Sequence, residues 1–468
     1  MTQLVWFRND LRTTDNPALT AACSSGAAVR ACYIATPGQW QQHHWSPARI
    51  RFVLDHVQVL GQRLAKLGIP LVILYADQFN DSIATLKEFC CKNRVETLHL
   101  NTEYGINERR RDRELKAQLQ EQDIRVLSYH DQCVVPVGAV KTAQGTPYTV
   151  FTPFYRRWAQ WLQEHRPSPY PEPSPVAPAL APPPPPDDAL RPPDSPRPLV
   201  SCGEQAAHQR LEQFLDEQAP GYDKVRDFPA RPGTSLLSPY LANGVLSGVQ
   251  CWTAALPHQA SALADQGVST WIKELAWRDF YIHILYHFPR ISMDRAFKPE
   301  TEALVWNTPG DHFEAWKAGN TGIPIVDAAM RQLNQSGWMH NRLRMVTAMF
   351  LTKNLFIDWR QGERYFMSRL VDGFLASNNG GWQWSASTGT DAAPYFRVFN
   401  PASQSEKFDP TGEFIRQYVP ELAGLDNKRI HQPWLGGAAP KGYPAPLVDL
   451  KESRKEAIAR FQALKDQP

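Results

Sequence analysis

Long apolar runs are missing from this 468-residue chain. No uncharged apolar run approaches the ~20 residues needed to cross a bilayer, which excludes a membrane-spanning helix. The opening M-T-Q-L-V-W-F-R-N-D has no basic region followed by an apolar one, so no secretory signal is expected. A strong net charge is missing too: 50 Lys and Arg against 47 Asp and Glu leave +3. A generally basic coat for nucleic acid is thereby excluded. Any phosphate contact must come from a local cluster, for which Arg331, Arg342 and Arg344 are candidates. The seven cysteines, at 23, 32, 90, 91, 133, 202 and 251, form neither a disulfide framework nor a zinc pattern, and no metal is expected. G-x-G-x-x-G does not follow the first apolar run, so the dinucleotide fingerprint is absent. These absences describe a soluble protein of the reducing cytoplasm.

What is present falls into three parts. Residues 1–132 alternate apolar runs (Leu4–Phe7, Val29–Ile34, Leu71–Tyr75, Thr97–Leu100, Val126–Tyr129) with helical patterns near 48–67, 82–93 and 106–121. This alternation predicts an α/β domain with a parallel sheet covered on both faces, and a ligand beyond the carboxyl ends of its strands. Residues 133–200 form a linker in which 15 of the 40 prolines crowd into 167–198. Proline fixes φ and lacks a donor, so that stretch is expected to run extended over the surface. From 201 to 468 the spacing turns helical, with segments near 204–216, 238–246, 268–286, 322–335, 340–356 and 361–369. This all-α half holds ten of the fifteen tryptophans.

Two polar segments of that half are studded with indoles: W-M-H-N-R-L-R-M at 338–345 and N-N-G-G-W-Q-W-S-A-S-T-G-T-D-A-A-P-Y-F-R-V-F-N-P at 378–401. A core does not ordinarily mix its largest apolar groups with so many groups that need hydrogen-bond partners. The mixture suits a site that stacks a flat polar ring while binding its edges and a phosphate. These segments closely resemble the DNA photolyase/cryptochrome family of flavoproteins. The resemblance runs from W-F-R-N-D-L-R-T-T-D-N-P-A-L (6–19) through R-D-F-P-A (226–230), E-L-A-W-R-D-F-Y (274–281) and T-G-I-P-I-V-D-A-A-M-R-Q-L (321–333) to G-E-F-I-R-Q (412–417). It is strongest toward bacterial class I photolyases that repair cyclobutane pyrimidine dimers. The fold so implied is a Rossmann-like α/β antenna domain joined by the proline-rich linker to a helical FAD-binding domain.

The resemblance implies a flavin cradle residue by residue. Tyr222 stands beside the phosphates, and Thr234, Ser235, Leu236, Leu237 and Ser238 form the phosphate-binding turn. Hydroxyls and free N–H groups at a helix start hold an anion well, although T-S-x-x-S alone would be an ordinary N-cap. Trp271 and Arg344 are further flavin contacts, and Asp372, Gly373 and Phe374 line the ring system, with Arg344 and Asp372 pairing near it. Asn378 faces the reactive ring nitrogen. An amide accepts from a protonated nitrogen and cannot release a proton there, which favours the reduced flavin. Read alone, Asn378 would serve equally well as a loop cap.

The resemblance also implies the lesion pocket. Trp277 and Trp384 pack against a dimer flipped out of the duplex, a step that photolyases share with other enzymes acting on bases. Base–aromatic stacking is worth ~1–3 kcal/mol per base and repays part of the cost of unstacking. Glu274 lies three residues before Trp277, on the same helix face, where its carboxyl meets the dimer's polar edge. Asn341 and Met345 occupy the positions of two histidines in 6–4 photolyases. Neither is a general acid at neutral pH, which points to cyclobutane dimers, whose splitting has no obligatory proton transfer. Arg226, Arg278, Arg342, Arg397 and Gln404 correspond to contacts on the DNA backbone, carrying no base code. Trp306, Trp359 and Trp382 correspond to the relay that carries electrons from the surface to the flavin.

A second, light-harvesting chromophore is implied by His44, Asn107 and Glu108, which match a folate-type pattern. Ser292 and Met293 depart from it, replacing a cysteine and a lysine. The order of expectation is 5,10-methenyltetrahydrofolate, then a deazaflavin, then an empty site. The whole reads as a monomeric, light-driven lyase acting on UV-damaged DNA, with no obligate protein partner. The alternative is a cryptochrome-type blue-light photoreceptor, which would carry a long extra tail. A dark flavin oxidoreductase is disfavoured by the missing dinucleotide fingerprint.

Overall fold

Five parallel strands, β1 (Thr2–Phe7), β2 (Ala28–Ala35), β3 (Leu71–Tyr75), β4 (Val95–Asn101) and β5 (Arg125–Tyr129), form one sheet in the order β3-β2-β1-β4-β5. The protein is seen as a computed structural model that describes residues 2–196, 198–259, 265–435 and 441–464. Each expected strand is present, lengthened where helices cover its ends. Leu4, Val5, Trp6 and Phe7 of the central strand are at most 2% exposed, because both faces of a parallel sheet are packed. Hence the near-continuous apolar run in place of alternation. Register runs Val5↔Ala31 on one side and Val5↔His99 on the other.

The contacts define two compact units: Met1–Pro220 with Ser235–Pro289 and Val371–Gly373, and Gly221–Thr234 with Arg290–Leu370 and Phe374–Pro468. In the first, helices Pro47–Lys66 and Ile106–Gln120 flank the sheet. Asn16 and Ser46 each cap a helix by accepting a backbone N–H, and in both cases Pro occupies the first turn. The proline-rich stretch contains one short 3₁₀ turn, Asp188–Leu190, and is otherwise without helix or strand among the described residues. It is tethered rather than loose. Val176 N–H donates to Leu67 O at 3.0 Å and Leu180 N–H to Ala65 O at 2.8 Å.

The helical pattern expected at 238–246 stops early, at Ala242. Gly244 explains this: its φ is +65°, and a Cβ there would lie 1.9 Å from the carbonyl oxygen of Asn9. The long pattern at 268–286 becomes the helix Asp265–His287.

The second unit packs around a buried cluster in which Trp316, Trp359, Trp382, Phe366, Leu343 and Val346 take part. Asp327 pins its edge from inside. Fully buried, it accepts from Thr321 N–H (2.7 Å), Thr321 Oγ1 (2.6 Å), Gly322 N–H (3.0 Å) and Tyr443 OH (2.6 Å). The stretch expected as one helix over 340–356 divides into a helix Asn341–Met349 and a five-residue π-turn, Phe350–Asn354.

Candidate functional site

In the second unit, His340 caps the helix that bears Asn341, Arg342, Arg344 and Met345, its Nδ1 accepting Arg342 N–H at 3.2 Å. Burial pushes His340 down to about 4, so the ring is neutral at pH 7 and free to accept. Asn341 and Met345 are one turn apart on the outward side, while Leu343, Val346 and Thr347 turn inward. The Arg342 fork is already engaged. Nη2 and Nε donate to Asp227 Oδ1 at 2.8 and 3.2 Å, and the guanidinium lies 4.7 Å from the Phe408 ring. A DNA phosphate at Arg342 therefore has to share the cation with Asp227. Arg226 sits beside the same carboxylate at 4.0 Å and 5.7 Å from the Tyr222 ring. Arg344 Nε donates to Met339 O at 2.8 Å.

Asn378 lies on the helix Leu375–Ala386 together with Trp382 and Trp384. Its Nδ2 donates to the backbone carbonyl of Glu363 at 3.0 Å. That bond fixes the plane of the amide and points Oδ1 away from the carbonyl, as an acceptor. A flavin ring nitrogen that carries a proton fits such an oxygen.

The three tryptophans expected as a relay gather in one core. Trp382 is 2% exposed, with its ring 4.9 Å from Phe366 at 82°, and Trp359 is 1% exposed. Trp306 is half-buried, 4.8 Å from Phe356, and packs against the same cluster. Gly362 makes room for this arrangement: a Cβ there would fall 2.1 Å from the Trp382 ring. Of the remaining expected residues here, Arg397 is exposed beside Phe396, itself 58% exposed, and Gln404 is half-buried.

In the first unit, Trp271, Glu274, Trp277 and Arg278 lie along the helix Asp265–His287. Trp271 is 3% exposed and tilts against Phe214 at 5.2 Å. Trp277 is stacked on Phe151, ring centroids 3.6 Å apart and 7° from parallel, which stiffens it as one wall. Arg278, expected at the DNA backbone, donates to the carbonyls of Gln132 and, at 3.1 Å, Leu241. It braces the segment at Gln132 against the helix Ser238–Ala242.

The next residue, Asp279, is wholly buried and accepts from Val134 N–H (3.2 Å), Val135 N–H (3.0 Å) and Trp158 Nε1 (2.9 Å). In the Ser235–Ser238 turn, Leu236 takes φ +55°, a strained value for a branched side chain, and Ser235 Oγ accepts Leu237 N–H at 3.4 Å. The helix that follows, Ser238–Ala242, has only five residues, so an anion at this turn would rest on hydroxyls and turn geometry more than on a helix dipole. Asp372 is buried.

The residues expected to hold an antenna follow the carboxyl ends of β2 and β4. His44, at φ +54°, is exposed, and it is His43 that meets the others. His43 Nε2 is 2.8 Å from Gln39 Nε2 and 3.3 Å from Asn107 Nδ2, and Nδ1 is 3.9 Å from Glu108 Oε1. Burial pushes His43 down to about 4. Burial first, and then the charge of Glu103, pushes Glu108 up to about 7. The two are therefore not an ion pair at neutral pH. Both keep their capacity for a ring with adjacent donors. In the second unit Ser292 Oγ is buried with no partner among the described residues and Met293 is 51% exposed, so neither supplies a cation.

Sequence reasoning missed His43, Asp227, Asp279 and Glu363. Asp279 and Asp227 lie inside the quoted motifs E-L-A-W-R-D-F-Y and R-D-F-P-A, where the arginines drew notice. Glu363 carried no signal, because a glutamate in W-R-Q-G-E-R reads as a solvated helix face.

A parallel sheet in one unit and a tryptophan-rich helical core in the other give the architecture of the photolyase/cryptochrome class. Among solved structures, a class III photolyase from Agrobacterium tumefaciens superposes with TM-score 0.85 and 37% identity, covering 100% of this chain and 98% of that one. A cryptochrome from Synechocystis sp. PCC6803 superposes with TM-score 0.87 and 29% identity over 98% of each chain. Residues 3–175 match the DNA photolyase family, and residues 271–463 match the FAD binding domain of DNA photolyase. The deoxyribodipyrimidine photo-lyase of Escherichia coli strain K12 is 46% identical over 99% of this chain and 98% of its own. The chain belongs to the DNA photolyase family. Among the described residues no helix is long and apolar enough to cross a membrane, and no cluster of ligating side chains could hold a metal ion.

Proposed function

We propose that this protein is a deoxyribodipyrimidine photo-lyase, which splits cyclobutane pyrimidine dimers in UV-damaged DNA under blue light. The observation that carries this reading is the oriented amide of Asn378, which offers an acceptor and no proton. FAD, when bound, would supply the light absorption and the electron that opens the dimer. Asn378 would hold the proton on the ring nitrogen. Tyr222, Thr234 and the Ser235–Ser238 turn would hold the phosphates, with Trp271, Arg344, Asp372, Gly373 and Phe374 around the ring. Trp277, stiffened by Phe151, and Trp384 would stack on the extruded bases and exclude water. Glu274 would bind the polar edge of the dimer. Asn341 and Met345 would fit its flank without donating a proton, and Arg226, Arg342, Arg397 and Gln404 would grip the backbone. Arg278 would contact that backbone as well while it holds the carbonyls of Gln132 and Leu241. The protein would work as a monomer in the cytoplasm, with no obligate protein partner.

A cryptochrome shares the fold, but the photolyase relatives are nearer in sequence, at 46% identity against 29%. Irradiated DNA incubated with the purified protein should lose its dimers under blue light and retain them in darkness. Equal loss in both would exclude the lyase.

For the antenna we favour 5,10-methenyltetrahydrofolate over a deazaflavin, held by Asn107 and Glu108 with His43 as well as His44. Glu108 pairs with a donor-rich ring only as a carboxylate, and it ionises around pH 7. Folate retention should therefore rise between pH 6 and 8 and lose that dependence in Glu108→Gln, as read from the chromophore's absorbance after gel filtration. Retention that falls with rising pH would contradict this pairing.

A further inference from the structure

Asn378 cannot give or take a proton, yet reduction of a bound flavin places negative charge beside it. The buried acid bonded into the same corner is Glu363. Its carbonyl orients Asn378, and its Oε1 accepts Asn379 Nδ2 at 3.0 Å. The row continues inward, with Gln383 Nε2 donating to Asn379 Oδ1 at 2.9 Å and Gln383 Oε1 accepting Phe297 N–H at 2.7 Å. One glutamate thus touches two consecutive residues of the helix Leu375–Ala386, Asn378 through its backbone and Asn379 through its carboxyl.

Glu363 is 5% exposed, and among the described residues no ion pair reaches it. The charged groups that face it are Arg360 and Arg364 from its own helix and Asp294 from the preceding segment. Each arginine is committed elsewhere: Arg360 to Glu302 at 2.7 Å and Asp358 at 3.2 Å, and Arg364 to Asp294 at 3.0 Å. A carboxyl served by an amide alone is held in its charged form less firmly than one served by a cation. Burial, with Asp294 adding to it, pushes Glu363 up to about 7, close to the point where a small change in nearby charge changes its protonation.

We propose that Glu363 is a positioning residue that couples proton uptake to reduction of the flavin, a step that rests on the reading of Asn378 given above. When an electron reaches the cofactor through the tryptophans or from an added reductant, the Glu363 carboxylate takes one proton from solvent. When the electron leaves, the proton is returned. No other bond is made or broken. The added electron repels the carboxylate across a buried amide corner, and protonation removes that repulsion.

The sign follows from linkage. Above about pH 7 Glu363 is ionised before reduction, so its charge opposes the electron. Below that pH it is already neutral and the opposition disappears. The flavin midpoint potential of the holoprotein should therefore fall with pH between 6 and 8 more steeply in the wild type than in Glu363→Gln. The two curves should meet near pH 5.5 and separate at pH 8, with the variant the easier to reduce. A second readout needs no variant: in protein labelled with ¹³C-carboxyl glutamate, the reduced-minus-oxidised infrared spectrum should gain one isotope-shifted protonated-carboxyl band. Parallel potentials across the pH range, or an absent band, would overturn the proposal even where dimers are still repaired. A preparation that binds no flavin sinks this proposal together with the reading beneath it, and so is told apart from failure of Glu363 alone.

Discussion

Replacing Trp382 by Phe is expected to slow light-driven reduction of the oxidised flavin by at least about tenfold, equivalent to roughly 1.4 kcal/mol on the barrier. Repair by chemically reduced protein should stay at the wild-type rate. The reason is local. Trp382 is the member of the proposed relay on the helix that bears Asn378, and its ring fills the space that a Cβ at Gly362 would need. Phenylalanine keeps an aromatic ring edge-on to Phe366 and removes the oxidisable indole. Flash photolysis reads the first rate, and dimer loss after dithionite reduction reads the second. Loss of both together would show that Trp382 serves structure or lesion binding, and the relay would have to be abandoned.

The largest effect on stability is expected at Asp327. Removing its carboxylate in Asp327→Ala strands four buried donors at once: two from Thr321, one from Gly322 and the hydroxyl of Tyr443. An orphaned buried donor costs ~1–3 kcal/mol, and the donors partly re-pair, so the loss should be on the order of 4 kcal/mol. Asp327→Asn keeps one acceptor oxygen and should lose about half as much. Chemical denaturation followed by tryptophan fluorescence measures both. A cost under about 1 kcal/mol for the alanine variant would mean that the Thr321–Gly322 turn does not depend on this carboxylate.

The sheet could be read from sequence because burial on two faces imposes a simple composition on Leu4–Phe7, and the edge strand Leu71–Tyr75 keeps the same apolar run although partly exposed. Helix ends were harder. Asn243 and Gly244 stop a helix at Ala242 because the chain must pass close to Asn9, a residue more than two hundred positions away. The indole-rich segments announced a ligand through a conflict of polarity, and the family resemblance assigned the roles. What stayed hidden was set by side-chain direction and tertiary packing. Of two adjacent histidines, the one turned toward Asn107 is decided by the left-handed backbone at His44. Glu363 becomes a buried acid only because Asn379, sixteen residues on, is packed across from it.

The π-turn at Phe350–Asn354 has a bearing on how this chain tolerates insertion and deletion. One surplus residue is wound into that turn, and it directs Lys353 to the inside, where Nζ meets Ser387 Oγ at 2.9 Å and the Phe461 ring at 3.6 Å. Shortening the chain by one residue there would remove the wide turn and draw the segment that leads into the helix Trp359–Met367 back by one position. Lys353 would be driven toward solvent, and Trp359, the next tryptophan along the chain, would be swung off its bearing. Codon-sized length changes should be far harder to accommodate at this joint than point substitutions.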